Sequence, residues 1–123
     1  VIILTSGWSH IRNDTQIQHG LMRYITSPDF PCESIGNIDK SHVMGPDTKL
    51  PGGGFAVEFF NFLKLHGIPA AIICRYCSEG DNIPDAIALM SYLANWISDQ
   101  TIKIELPNSW KFLFGKPAPI DIY

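Results

Sequence analysis

Charge is scarce in this chain, and it gathers in no run of one sign. Charged residues make up 17% of the 123, and nine basic against twelve acidic side chains leave a net charge of −3. No stretch of Lys and Arg exists to follow a phosphate backbone or an anionic lipid surface, so neither nucleic acid nor membrane is an expected partner. Long apolar runs are missing too. None approaches the roughly 20 residues that a helix needs to cross a bilayer. Val1 to Leu4 is apolar but far too short for a signal-peptide core, and Thr5-Ser6-Gly7 follows at once. Cysteine is sparse and odd in number. Cys32, Cys74 and Cys77 cannot all pair, which reads as a reduced, intracellular chain. Cys74 and Cys77 have CxxC spacing inside an apparent strand, where residues three apart face opposite sides. Two packed thiols are therefore expected rather than a redox pair or half a zinc site. His10, His19, His42 and His66 form no i, i+4 pair and no HExxH motif, so a zinc centre has little support.

What the chain does have is apolar side chain, at 46% of residues. That is enough for the packed core of one domain and argues against disorder. Val1-Ile2-Ile3-Leu4-Thr5 reads as a strand buried on both faces, as in a parallel sheet. A chain seldom starts inside a core strand, because termini usually lie at the surface, so an incomplete domain is expected. A polar loop from Ser6 to Asp14 follows, and Gln16 to Thr26 is compatible with a short helix or an irregular segment. Ser27 to Pro51 carries Pro28, Pro31, Gly36, Gly45, Pro46 and Pro51 without a sustained period. It reads as a long excursion with at most short extended pieces.

Pro51-Gly52-Gly53-Gly54 opens a helix from Phe55 to Gly67, with Phe55, Phe59, Phe62, Leu63 and His66 at helical spacing and Gly67 as its cap. Ile68 to Cys77 supplies a second strand, with Ala70 to Cys74 as its core. A second helix runs from about Pro84 to Ser98, with Ile83, Ile87, Met90, Leu93 or Ala94, and Ile97 as its stripe. Thr101 to Leu106 alternates and suggests a further strand. Helix, strand and helix with short junctions point to an α/β fold: three layers, a mostly parallel sheet flanked by helices.

The densest chemistry lies in Cys77-Ser78-Glu79-Gly80-Asp81-Asn82-Ile83-Pro84-Asp85-Ala86, at the strand-to-helix junction. Ligands of open α/β sheets bind at such carboxyl ends. Glu79 and Asp81 could share a proton or bind sugar hydroxyls, as in a nucleoside or sugar hydrolase or phosphorylase. The structural alternative is that Asp81, Asn82 and Asp85 cap the helix and tie down the loop, and it is favoured. The glycine run is not a P-loop, since no Lys-Ser or Lys-Thr follows Gly54, and a tight turn explains it. Ser9, His10 and Asp14 are sequence neighbours, which seldom form a catalytic triad. Trp110, Phe112, Leu113 and Phe114, in a Pro-flanked tail, either cover the core or form a binding arm.

The combination resembles the proteasome assembly chaperone 2 family. Val1-Ile2-Ile3-Leu4-Thr5-Ser6 carries the likeness, with Arg12-Asn13-Asp14 and Arg23-Tyr24. Pro51 to Gly54, Ser78 to Ala86, Tyr92-Leu93 and Pro107-Asn108-Ser109-Trp110-Lys111-Phe112-Leu113-Phe114-Gly115 continue it. The order and spacing agree across nearly the whole chain. The resemblance implies a nucleoside-phosphorylase-like α/β fold without known catalysis and without a cofactor. It implies a heterodimer with proteasome assembly chaperone 1 that binds the proteasome α-subunits and promotes correct ring formation, in cytoplasm and nucleus. It implies that residues 1–123 are the C-terminal half of a single chaperone domain, with 107–123 as a Pro-rich apolar tail. Chaperones of this type can end in a hydrophobic–Tyr–any motif that docks between α-subunits. This chain ends Ile122-Tyr123, so the last position of that pattern is absent. Ile122, Tyr123, Trp110, Phe112 and Phe114 are the expected partner-binding residues.

Overall fold

The strand that organises the molecule is the most apolar one. Ala71–Cys77 forms it, and Ala71, Ile72, Ile73 and Cys74 are at most 1% exposed. A segment apolar on both faces has to be covered on both, so it occupies the middle of a sheet. The computed structural model describes residues 1–11, 20–32, 40–45, 49–97 and 103–113. Within them lie strands β1 (Ile2–Trp8), β2 (Met22–Thr26) and β3 (Ala71–Cys77), and helices α1 (Ala56–Leu65) and α2 (Ile83–Ile97). The described sheet has the order β1-β3-β2.

β1 runs parallel to β3, from Ile2 opposite Ala71 to Trp8 opposite Cys77. β2 is antiparallel to β3, from Met22 opposite Arg75 to Thr26 opposite Ala71. The sheet is therefore mixed, not mostly parallel. The cause is where the chain turns. It leaves β1 at the end beside Cys77 and starts β2 at that same end, where the Tyr76 N–H donates to the Leu21 carbonyl at 2.8 Å. A connection that stays at one end of a sheet returns antiparallel. The undecided segment before Ser27 is thus strand at Met22–Thr26.

The three-layer expectation holds in the described residues. On one face, Phe60 and Leu63 of α1 pack with Ile3, Ile25, Ile72, Cys74, Met44 and Leu50. On the other, Leu89, Tyr92, Leu93 and Trp96 of α2 pack with Ile2, Tyr24, Ala71 and Ile73. Each fully buried side chain of this size contributes about 1.5–3 kcal/mol. Trp96 anchors the second cluster, edge-on to Tyr24 at 5.0 Å between ring centroids.

Each helix presents a stripe that shares only part of the one read in the sequence: Phe59 and Leu63 of α1 and Leu93 of α2 pack as expected. α1 buries Ala56, Phe60 and Leu63, while Phe55 and Phe62 are more than half exposed. α2 buries Trp96 and packs Leu89, Tyr92 and Leu93 partly buried beside it, while Ile87 and Ile97 are exposed. Helices apolar on several sides offer competing stripes, and fit against the sheet selects one. The end of α1 matches expectation. Gly67, at φ +68°, closes a Schellman turn in which Ile68 N–H donates to Leu63 O at 2.9 Å and Gly67 N–H to Lys64 O at 3.2 Å.

β1 also departs from its expected form. It extends through Ser6 and Gly7 to Trp8, residues read as loop, and it is not buried on both faces: Leu4 is 37% exposed. Among its described residues, the excursion after Ser27 makes one isolated bridge, Val43 to Tyr24, supported by the Met44 N–H donating to Tyr24 O at 2.7 Å. Residues 103–106 are not strand, contrary to the alternation there. Among the described residues, no helix is long and apolar enough to cross a membrane.

Candidate functional site

The carboxyl ends of the parallel pair β1 and β3 meet the first turn of α2 and the glycine turn before α1. β-Strand geometry brings Thr5 and Ser6 alongside Cys74 and Arg75. The short junction 78–82 then brings the start of α2 over them. The result is an open cleft of about 340 Å³ lined by Thr5, Ser6, Arg75, Cys77, Asn82 and Asp85. A second recess of about 320 Å³ lies between Trp8, Gly52, Ser78 and Glu79. Both volumes fall at the small end of ligand pockets.

The acidic residues of the junction are largely engaged in holding it together. Asp81 Oδ1 accepts the Ile83 N–H at 3.0 Å, satisfying a donor that the helix itself leaves unpaired. Asn82 Nδ2 donates to the Ser78 carbonyl at 2.8 Å and to Asp85 Oδ2 at 3.0 Å. Arg75 Nε donates to the other Asp85 oxygen at 2.9 Å in a half-buried ion pair. Burial works to raise the Asp85 pKa, but the hydrogen bonds from Asn82 and Arg75 and the guanidinium charge outweigh it, holding the carboxyl below its ordinary value of 3.8. Asn82 and Asp85 share the cleft with Arg75. The two carboxylates of the hydrolase or phosphorylase alternative do not: Asp81 faces the helix backbone, and Glu79 borders the neighbouring recess.

The glycine turn grips the end of β1. The Trp8 N–H donates to Pro51 O at 2.9 Å, and Thr5 Oγ1 donates to Gly53 O at 3.1 Å. A Cβ on Gly53 would come within 2.9 Å of the Leu50 carbonyl oxygen, so a side chain there has no room. Close approach of backbone to backbone is what this turn needs glycine for.

The other candidate residues disperse. Ser9 Oγ lies 2.9 Å from Ser78 Oγ, and His10 sets its ring against Trp8 at 5.6 Å, while Asp14 lies outside the described residues. Cys74 is buried and Cys77 half-buried, both as free thiols. Burial, reinforced by the neighbouring Cys77 and opposed by Arg23, pushes the Cys74 pKa up to about 12. Among the described residues no cluster of His, Cys, Asp and Glu could hold a metal ion. In the tail, Trp110 is half-buried in a short turn, Asn108–Trp110, and Phe112 and Leu113 are exposed. Phe114, Ile122 and Tyr123 lie outside the described residues.

The pairing of Arg75 with Asp85 is the feature that sequence reasoning missed. A lone arginine at the end of an apolar strand was the available signal, since a half-buried cation calls for a nearby anion. Nothing in the sequence marked the approach of Trp8 to Gly52.

These features define a small α/β domain whose junction carboxylates hold strand, loop and helix together. The relatives narrow that class. Along its whole length the chain is similar to proteins named proteasome assembly chaperone 2, as its motifs suggested. It is 31% identical to the one from Homo sapiens, with all of this chain and 56% of the human protein covered. For Xenopus tropicalis the identity is 28%, with 100% and 55% covered. For Nematostella vectensis it is 34%, with 79% and 46% covered. The chain therefore spans about half the length of the curated relatives it matches. No family model matches it.

Proposed function

We propose that this chain is the C-terminal half of a proteasome assembly chaperone that works by binding, without catalysis. As a heterodimer with proteasome assembly chaperone 1 it holds proteasome α-subunits and promotes correct ring formation, in cytoplasm and nucleus. The observation that carries this reading is the similarity, over all of this chain, to relatives named for proteasome assembly. The site supports it. Asp81, which the hydrolase or phosphorylase reading would need free, is committed to the helix terminus, as Asp85 is to Arg75. A nucleoside-phosphorylase-like ancestry accounts for a cleft that persists at the strand ends. The tail residues Trp110, Phe112, Phe114, Ile122 and Tyr123 supply the anchor for a partner. Pro117 and Pro119 stiffen its approach, since each fixes φ and lacks an N–H.

The test is reconstitution of α-ring assembly with the whole protein and proteasome assembly chaperone 1. Glu79→Gln and Asp81→Asn are expected to leave assembly intact. Deleting Ile122 and Tyr123 is expected to weaken ring binding while heterodimer and stability persist. Nucleoside cleavage by the purified heterodimer, abolished by Asp81→Asn, would replace this reading with the hydrolase or phosphorylase one. Loss of stability with unchanged ring affinity would return the tail to the core.

A further inference from the structure

The two outer edges of the described sheet are treated differently. The edge of β2 is covered: Val43 bridges Tyr24, and the Met44 N–H donates to the Tyr24 carbonyl at 2.7 Å. The edge of β1 is closed only at its end, where the Trp8 N–H reaches Pro51 O at 2.9 Å. The Val1 carbonyl accepts the Ala71 N–H at 2.9 Å, so the odd-numbered residues of β1 direct their peptide groups at β3. The even-numbered residues Ile2, Leu4 and Ser6 therefore direct theirs outward. Among the described residues, no backbone group bonds to those of Ile2 and Leu4.

An edge left open is normally protected by Lys, Pro, a bulge or a covering loop. Among the described residues, β1 has none of these from Ile2 to Leu4, and the glycine turn before α1 reaches the strand only from Thr5 onward. Its register with β3 is continuous, without a bulge, and its sequence there is Ile-Ile-Leu-Thr-Ser. Leu4 and Val1 also leave 37% and 54% of their surface exposed beside that edge. A regular strand whose first half is apolar and unguarded has the character of an interior strand.

We infer that the outer edge of β1 pairs with a further β-strand of the same polypeptide, supplied from outside residues 1–123. The curated relatives are nearly twice as long as the stretch that this chain covers, which leaves ample chain to supply it. The inference rests on that length and on the edge itself, and it stands whether or not the protein assembles proteasomes. Main-chain hydrogen bonds to Ile2, Leu4 and Ser6 would hold the strand, with apolar side chains covering Leu4 and Val1.

Amide hydrogen exchange and cross-strand NOEs in the whole protein test it. Paired, the Leu4 and Ser6 amides exchange at least ~100-fold more slowly than free peptide, because opening then requires part of the sheet to unfold. Their NOEs lead to residues outside this stretch. Exchange at free-peptide rates with Ile3 and Thr5 protected would overturn the inference. So would protection whose NOEs lead to residues 114–123. NOEs to a second copy, seen in mixed-isotope samples, would overturn it as well. Loss of chaperone activity is not a readout here, so the two proposals fail separately.

Discussion

The indole of Trp8 lies so close to Gly52 that a Cβ there would fall 2.3 Å from its Cδ1 and Nε1. Gly52 is also at φ +83°, in the left-handed region. Gly54, two residues on, has a similar φ of +61° but nothing within 4 Å of its missing Cβ. The pair separates a conformational requirement from a steric one.

Gly54→Ala is accordingly expected to cost about 1 kcal/mol, the strain of a left-handed residue. Gly52→Ala adds the collision with Trp8, for about 2–4 kcal/mol in total. Chemical denaturation measures both. In the Gly52→Ala background, Trp8→Ala should recover part of the loss, because the two changes share one contact. Equal costs at Gly52 and Gly54 would remove the indole from the account.

The Arg75–Asp85 pair should make stability depend on acid. The Asp85 pKa is held below 3.8 in the fold, so its contribution is complete above the unfolded value. It is lost as pH falls through the lower folded value. Stability measured from pH 6 to pH 2 should therefore fall below about pH 4. Asp85→Asn should flatten that part of the profile and cost about 1–3 kcal/mol at neutral pH, since Arg75 is left half-buried without its anion. An unchanged profile would mean that the pair contributes nothing.

Asp81 tests the capping role. Asp81→Ala should cost about 1 kcal/mol, because the Ile83 N–H loses its acceptor, while Asp81→Asn, which keeps an oxygen in place, should cost only a few tenths. Thermal melting would distinguish them. Equal losses for both would point to the charge of Asp81 rather than its hydrogen bond.

Thiol reactivity should rank by burial. Cys32 is exposed, and Cys74 is buried with its pKa pushed up to about 12. Iodoacetamide at pH 8 is expected to label Cys32 first and Cys74 only on unfolding, since the thiolate is the reactive species. Mass spectrometry of the folded protein would show this. A Cys74–Cys77 disulfide in the protein purified without reductant would contradict the packed-thiol reading.

The sequence by itself determined the elements whose signals are local. Gly67 ended α1 because a left-handed residue closes a Schellman turn, and Asp81 marked the start of α2 because a side-chain oxygen must meet an orphan N–H. The continuous apolar run of Ala71 to Cys74 announced a central strand. The order of motifs along the chain was enough to find its relatives. Tertiary structure decided what local signals leave degenerate. Phe55 and Phe62 fit a stripe with Phe59 and Leu63 as well as Phe60 does, and only contact with the sheet chose Phe60 and left Phe55 and Phe62 exposed. β2 became antiparallel because its chain turns back at one end of the sheet, which no period records. Arg75 met Asp85 because the strand end and the first turn of α2 share one wall of the cleft. Such pairings depend on distances between elements, and a sequence states only the order in which those elements come.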